Sequence, residues 1–309
     1  MNKHGYKNNS AVCIKIILVS VLLFVPLFMS CPPKNSSQNN SAKDPFLLIY
    51  LMYNPTLKID TSENVVEKNI SYKDFDKKEI DYGDADPGTL SYYIYLFKNG
   101  VFYGLERAKT KDGSLLERYK EAEIIRNKNG RVTNINRYTS EKQNRPYDQE
   151  TYTRDNNAII AYGGLSKGRA GAVIVEEDDR ILYFRDYKDY TESPDLPYWI
   201  IEFVNDDVIK IEYDYFNHEM YSRHYFINGI LMKIEYFNGT IQTRTDTYTV
   251  VSGIGEIIKT NAENEVIERN FLERRINDAG FLEYEAVRYP SGRGYEFILT
   301  KDTFKREIE

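Results

Sequence analysis

Between Trp199 and Val250 apolar and polar residues alternate, interrupted only by short polar groups at Asn205-Asp206-Asp207, Asn217-His218-Glu219, Asn228-Gly229 and Asn238-Gly239. A period of two marks strands with one buried face. Asn-Gly pairs favour tight hairpin turns because both residues tolerate positive φ. Registering the strands across these turns predicts Phe203 opposite Ile209, Ile201 opposite Ile211 and Glu202 opposite Lys210. It also predicts Tyr215 opposite Tyr221, Ile227 opposite Ile230, Tyr225 opposite Met232 and Tyr236 opposite Ile241. One face then carries Ile201, Phe203, Ile209, Ile211, Tyr213, Tyr215, Tyr221, Tyr225, Ile227, Ile230, Met232, Ile234, Tyr236 and Ile241, with Arg223 as a charged intruder. The other carries Glu202, Lys210, Glu212, Asp214, Ser222, His224, Lys233, Glu235, Gln242 and Arg244.

The same style recurs upstream, where Asn99-Gly100, Asp112-Gly113 and Asn129-Gly130 punctuate candidate strands Ser91–Phe97, Val101–Ala108 and Arg131–Thr139. Phe46–Tyr53 is an unbroken apolar run, too short for periodicity to separate strand from helix, and is read as core. The charged stretch Thr260–Ile276 is compatible with a short helix. Gly163, Gly164, Gly168 and Gly171 cluster as a linker or long turn, dividing an N-terminal β region (46–162) from a C-terminal β-meander region (172–309). With 27 Tyr and 15 Phe against a single Trp, the composition favours half-buried pleated surfaces. The expected fold is all-β: an antiparallel meander of hairpins forming an extended two-faced sheet, open, curved or closed, with at most short helices.

The N-terminus has a different pattern. Lys3, Lys7 and Lys15 precede an apolar run from Ile16 to Ser30 that contains Pro26, the order of a cleavable signal peptide over residues 1–30. Leu27-Phe28-Met29-Ser30-Cys31 resembles the lipobox of bacterial lipoproteins, in the relaxed form found in spirochaetes. That resemblance implies diacylation of Cys31, a membrane partner through its lipid, and an envelope location at the outer membrane, on its periplasmic or surface face. Residues 31–45, rich in Pro, Lys, Asn and Ser, read as a polar tether with a reach of roughly 20 Å. The other cysteine, Cys13, lies in the signal segment, so a mature chain acylated at Cys31 has neither thiol chemistry nor disulfides.

Loss of Lys3, Lys7 and Lys15 moves the formal charge from -6 to -9, which argues against nucleic acid as a partner. Units of the form aromatic-x-x-Asn-Gly, best at Tyr225–Tyr236 and Ile276–Tyr289, resemble the β-hairpin repeats of MORN-like variants and RHS (YD) proteins. The resemblance implies architecture and no activity.

Candidate chemistry is sparse. The glycines at 163–171 lack the order of a phosphate loop, and Asp74, Asp76, Asp81, Asp84 and Asp86 lack the order of a calcium loop. His218 falls in a loop. His224 with Ser222 and Glu212 would be a hydrolytic set only if a strained elbow presented the serine. The acid pairs Glu176-Glu177, Asp178-Asp179 and Asp206-Asp207 suit turns better than a glycosidase dyad. Tyr92, Tyr93, Tyr95 and the tyrosines of 213–225 either line the core or offer a recognition surface. No catalytic residue, metal or cofactor is expected. The expected function is a non-catalytic binding or adhesion module for a protein or glycan ligand. An envelope structural or assembly factor, or a hydrolase using converging carboxylates, are the alternatives.

Overall fold

The computed structural model describes residues 44–301 apart from 78, 81–88, 141–144, 164–169, 206–207 and 215–219. Its elements begin with helix α1 (Pro45–Leu51), followed by strands β1 (Val65–Asp74), β2 (Glu79–Ile80), β3 (Thr89–Lys98), β4 (Val101–Lys111), β5 (Ser114–Arg126) and β6 (Val132–Arg137). Then come β7 (Asp148–Asp155), β8 (Ala158–Gly163), β9 (Ala170–Glu176), β10 (Arg180–Phe184), helix α2 (Tyr187–Glu192), β11 (Trp199–Asn205) and β12 (Val208–Asp214). The last are β13 (Met220–Ile227), β14 (Ile230–Asn238), β15 (Ile241–Val251), β16 (Ile254–Asn261), β17 (Val266–Ile276), β18 (Leu282–Arg288) and β19 (Arg293–Lys301).

From β3 to β19 each strand pairs antiparallel with the next, and β1 pairs with β3 on one side and β19 on the other. The described sheet is therefore a closed eighteen-strand meander barrel, with β2 a short spur on β1. The expected two-faced sheet is present, and it is closed. Segment 163–171 joins β8 to its neighbour β9, with residues 164–169 outside the described set.

Turn chemistry sets the strand boundaries. Asn99-Gly100, Asp112-Gly113 and Asn228-Gly229 hold both residues at positive φ, as type I′ hairpins require. Ser252-Gly253 does the same without an Asn-Gly signal. Thr260–Ile276 is not helical: it holds the end of β16, a turn, and β17, because β17 alternates between a buried and a solvated face.

The register is as predicted for β11 and β12, with Ile201 opposite Ile211, and at the β13–β14 turn, with Ile227 opposite Ile230. Elsewhere bulges correct it. A shift beside Tyr213 puts Ser222 opposite it and turns β13 over, so Ser222, His224 and Phe226 face inward while Tyr221 and Ile227 are exposed. The residue of the predicted Tyr221 pair, Tyr215, lies outside the described residues. Further shifts place Tyr225 opposite Lys233 rather than Met232, and Tyr236 opposite Arg244 rather than Ile241. Arg244 thereby joins the inner face and Ile241 is left 69% exposed. One extra residue is enough, because side chains change face at every step of a strand.

The run Phe46–Tyr53 turns out to be helical for most of its length. Asp44 caps α1 through the Phe46 N–H, with Pro45 at the first helical position. Phe46, Leu47, Leu48 and Leu51 are all buried, and a helix apolar on every side belongs inside a core. They cluster with inward residues of strands all round the wall, among them Phe102, Ile124, Ile201, Phe226, Leu272 and Phe297. Phe46 meets Tyr152 edge-on at 5.2 Å, and Asp44 pairs with Arg126 at 2.5 Å. Downstream, the Leu57 N–H donates to the Gly229 carbonyl (2.8 Å) and the Leu231 N–H to the Pro55 carbonyl (2.9 Å). Residues 44–59 thus plug the end of the barrel that carries the turns at 99–100 and 228–229. On the outer face α2 rests Tyr190 on Phe184 beside a smaller cluster of β8–β10.

Gly229 is doubly constrained: its φ is +75°, and a Cβ would lie 2.6 Å from Lys58 Cβ in the plug. Gly113 shares the φ but has open space around it. Gly113→Ala is expected to cost roughly 1–2 kcal/mol of unfolding free energy in a denaturant titration. Gly229→Ala should cost clearly more, because the plug must also move.

Candidate functional site

Few of the residues singled out by sequence converge. Ser222 Oγ and His224 Nε2 lie 3.1 Å apart on the inner face, but Glu212 points outward and accepts from Arg223 Nε at 2.8 Å. The hydrolytic set is not assembled. Burial lowers the His224 pKa to about 4, so the imidazole is neutral at neutral pH. Asp74 accepts from Lys77, Asp76 pairs with Arg288, Glu176 with Arg154 and Glu177 with Arg180, all on turns or strand ends. Asp81, Asp84, Asp86, Asp206, Asp207, His218, Gly164, Gly168 and Cys31 lie outside the described residues. Among the described residues no group of three His, Cys, Asp or Glu is placed to hold a metal ion.

The inner wall carries the notable geometry. Along β1 its exposure climbs from Val66 (6%) and Lys68 (7%) through Ile70 (37%) to Tyr72 (64%). The interior is therefore dry at the plugged end and meets solvent toward the other. Apolar contacts give way along that gradient to charged pairs laid on tyrosine rings. The Arg107 guanidinium covers Tyr93 at 4.9 Å and pairs with Glu121 at 3.0 Å. Arg244 covers Tyr236 at 3.8 Å and pairs with Asp246 at 2.9 Å. Lys259 pairs with Glu268 at 2.6 Å within reach of the Tyr289 ring. Arg137 bridges Glu150 and the Tyr50 hydroxyl. Cation and carboxylate each lose part of their hydration here, and the ring quadrupole and opposite charge together offset it.

Deeper in, Arg274 and Glu285 form a buried ion pair (2.7 Å; side chains 2% and 0% exposed). The Leu231 carbonyl accepts a second Arg274 N–H, the Tyr295 hydroxyl donates to Glu285, and Arg274 lies over Tyr248. A pair so fully hydrogen-bonded is structural. Lys68, also buried, donates to Asn54 of the plug at 3.0 Å over the Tyr93 ring, and burial lowers its pKa to about 8.

On the solvent-facing part, burial raises the Tyr289 phenol above its ordinary value, with Tyr72, Glu268 and Asp246 adding to it. Hydrogen bonding from Lys259 holds Glu268 below the usual carboxylate range. Tyr72, Glu268 and Asp246 thus lie around Tyr289, which Lys259 reaches, and Arg244 joins the group through Asp246. Sequence reasoning had placed Arg244 on the solvated face and had not singled out Tyr72, Lys259, Glu268 or Tyr289. Their signal was available only as charges in phase with core positions of the same strands, Tyr248 on β15 and Leu272 on β17.

No family model and no curated protein matches the sequence. Among solved structures, a porin-like protein from Bacteroides uniformis ATCC 8492 is 12% identical over 77% of this chain and 98% of its own, with a TM-score of 0.37. A second, TcdB2-TccC3-TEV, is 10% identical over 72% of this chain and 13% of its own, with a TM-score of 0.28. Likenesses this distant do not bear on what the chain binds.

The depressed His224 pKa links stability to pH. An unfolded histidine takes up its proton near pH 6.5 and the buried one only near 4. Stability should therefore fall as pH drops through that window, by on the order of 3 kcal/mol from this group. Chemical unfolding of His224→Gln at pH 7 and pH 4.5 should show a smaller difference than the unaltered chain.

Proposed function

We propose that this chain is a non-catalytic binding module of the bacterial envelope, anchored by a lipid on Cys31 and taking up its ligand on the solvent-facing part of its inner wall. The observation that carries the reading is the lattice of tyrosines and charged pairs on that wall. Arg244, Asp246, Lys259 and Glu268 stand on four inward strand positions in the part of the interior that meets solvent, paired with one another and set against tyrosine rings. Such a concave, polar and aromatic surface suits recognition, because ordered rings and pre-paired charges lose little freedom on binding.

The outer wall supports a barrel that lies beside the membrane rather than in it. Glu212–Arg223, Lys233–Glu235 and Glu256–Arg269 pair there in mid-strand, whereas a spanning barrel turns an apolar band outward. Among the described residues no helix is long and apolar enough to cross a membrane. The proposed anchor is the lipid on Cys31, joined to the barrel through the polar stretch 31–45.

Two experiments test the reading. Cys31→Ala should move the protein from the membrane pellet to the soluble fraction; persistence in the pellet would contradict the anchor. The soluble Cys31→Ala chain, immobilised and exposed to envelope extract, should retain a component that is lost with Lys259→Ala and kept with the outer-wall change Arg269→Ala. Equal retention by both variants would remove the inner wall from the function.

A further inference from the structure

We infer that the ligand of this inner wall is a neutral, hydroxyl-rich chain, a glycan, seated on the patch formed by Tyr72, Tyr289, Tyr236, Arg244, Lys259 and Glu268. The inference rests on the binding reading above and narrows it to one ligand class.

Charge is the first argument. Each cation of the patch is matched by a carboxylate, Arg244 by Asp246 and Lys259 by Glu268, so there is no surplus to draw an anion or a cation. What remains is hydrogen-bonding capacity. Asp246 is buried and taken up by Arg244 and the Tyr236 hydroxyl. The open capacity therefore lies on the remaining N–H donors of the Arg244 guanidinium and the remaining lone pairs of Glu268, which accepts from Lys259 and Asn270. That set suits groups that both donate and accept. Sugar hydroxyls are such groups. Beside Glu268, Asn270 is 2% exposed and its Oδ1 accepts no hydrogen bond among the described residues, adding an open acceptor beneath the patch.

Ring placement is the second argument. Tyr72 is 64% exposed on a concave face, directly opposite Tyr295 of β19 and near Tyr289. Exposed phenol faces in a concave wall suit the flat C–H faces of pyranose rings, while the hydroxyl remains wet. Topology supplies the third. An extended peptide gains most of its affinity by adding a strand to a free sheet edge, and among the described residues the wall is closed, leaving the two-residue spur β2 too short to template one.

The test uses the soluble Cys31→Ala chain and calorimetric titration with two neutral probes, chitotetraose and maltotetraose. At least one is expected to bind, with Tyr72→Ala weakening it about tenfold. Tyr72→Phe should bind as the unaltered chain does. Tyr187→Ala, on α2 of the outer face, should also leave binding unchanged. Tyr72 is largely exposed, so a circular dichroism melt should show all variants folded. If neither probe binds to a chain that still retains envelope material on its inner wall, the glycan assignment is overturned and the binding reading stands. If a sulfated oligosaccharide binds more tightly than both neutral probes, the assignment to a neutral ligand is overturned. If nothing is retained from extract and neither probe binds, both fall.

Discussion

A ring of eighteen antiparallel strands encloses more volume than the side chains of its own inner face can fill. How that volume is divided governs the rest of this molecule. At one end the chain fills it with itself: α1 and the stretch to Ile59 bring Phe46, Leu48, Leu51, Met52 and Leu57 against inward residues of strands from β3 to β19. At the other end the wall faces water, and its inward positions become polar in step. The Arg274–Glu285 pair, each partner with a further hydrogen bond, lies on the dry side of this transition, and Arg244–Asp246 on the wetter one. The plug is thus a core element that the wall needs, and its amino-terminal position joins that core to the segment read as the tether.

Bulges are the second structural device. They recur beside Phe203, Tyr213, Phe226, Phe237, Ile276 and elsewhere, mostly next to turns. Each bends its strand and sharpens the local twist, which a sheet needs in order to close. Each also exchanges the faces of the residues beyond it, and so decides which charges enter the barrel.

Strand identity was legible in the sequence because it depends on local pattern. Ser91–Phe97 and Val101–Ala108 lie within β3 and β4, and three of the Asn-Gly or Asp-Gly turns adopt the positive φ they announce. The β11–β12 register was legible because both strands alternate strictly. The β13 register was not, because tyrosine and arginine carry long apolar stems with polar tips and fit either face, so alternation there does not detect a bulge. His224, Arg244 and Ile241 were misplaced for that reason. Closure itself has no local signal, since it depends on the meeting of β1 with β19. The helical form of Pro45–Leu51 was undetermined in a run whose every residue is apolar. The inner-wall patch went unseen because its members come from five strands and one turn, and share nothing in sequence but their phase.

The seam between β1 and β19 has a consequence for how the barrel forms. It is held by nine paired positions, and its outer face carries a contact between Glu67 and Thr300, 233 positions apart. Every other wall contact between adjacent strands from β3 onward is made by near neighbours in the chain, so hairpins can be laid down in order as a growing, curling ribbon. The seam alone requires both ends at once, and loop closure over such a span is entropically slow. Until β19 is in place, β1 and β18 present open edges and the plug has no complete chamber to fill. Folding is therefore a process of many quick local steps and one late, long-range fastening, and the ribbon is most exposed to other chains just before that last strand arrives.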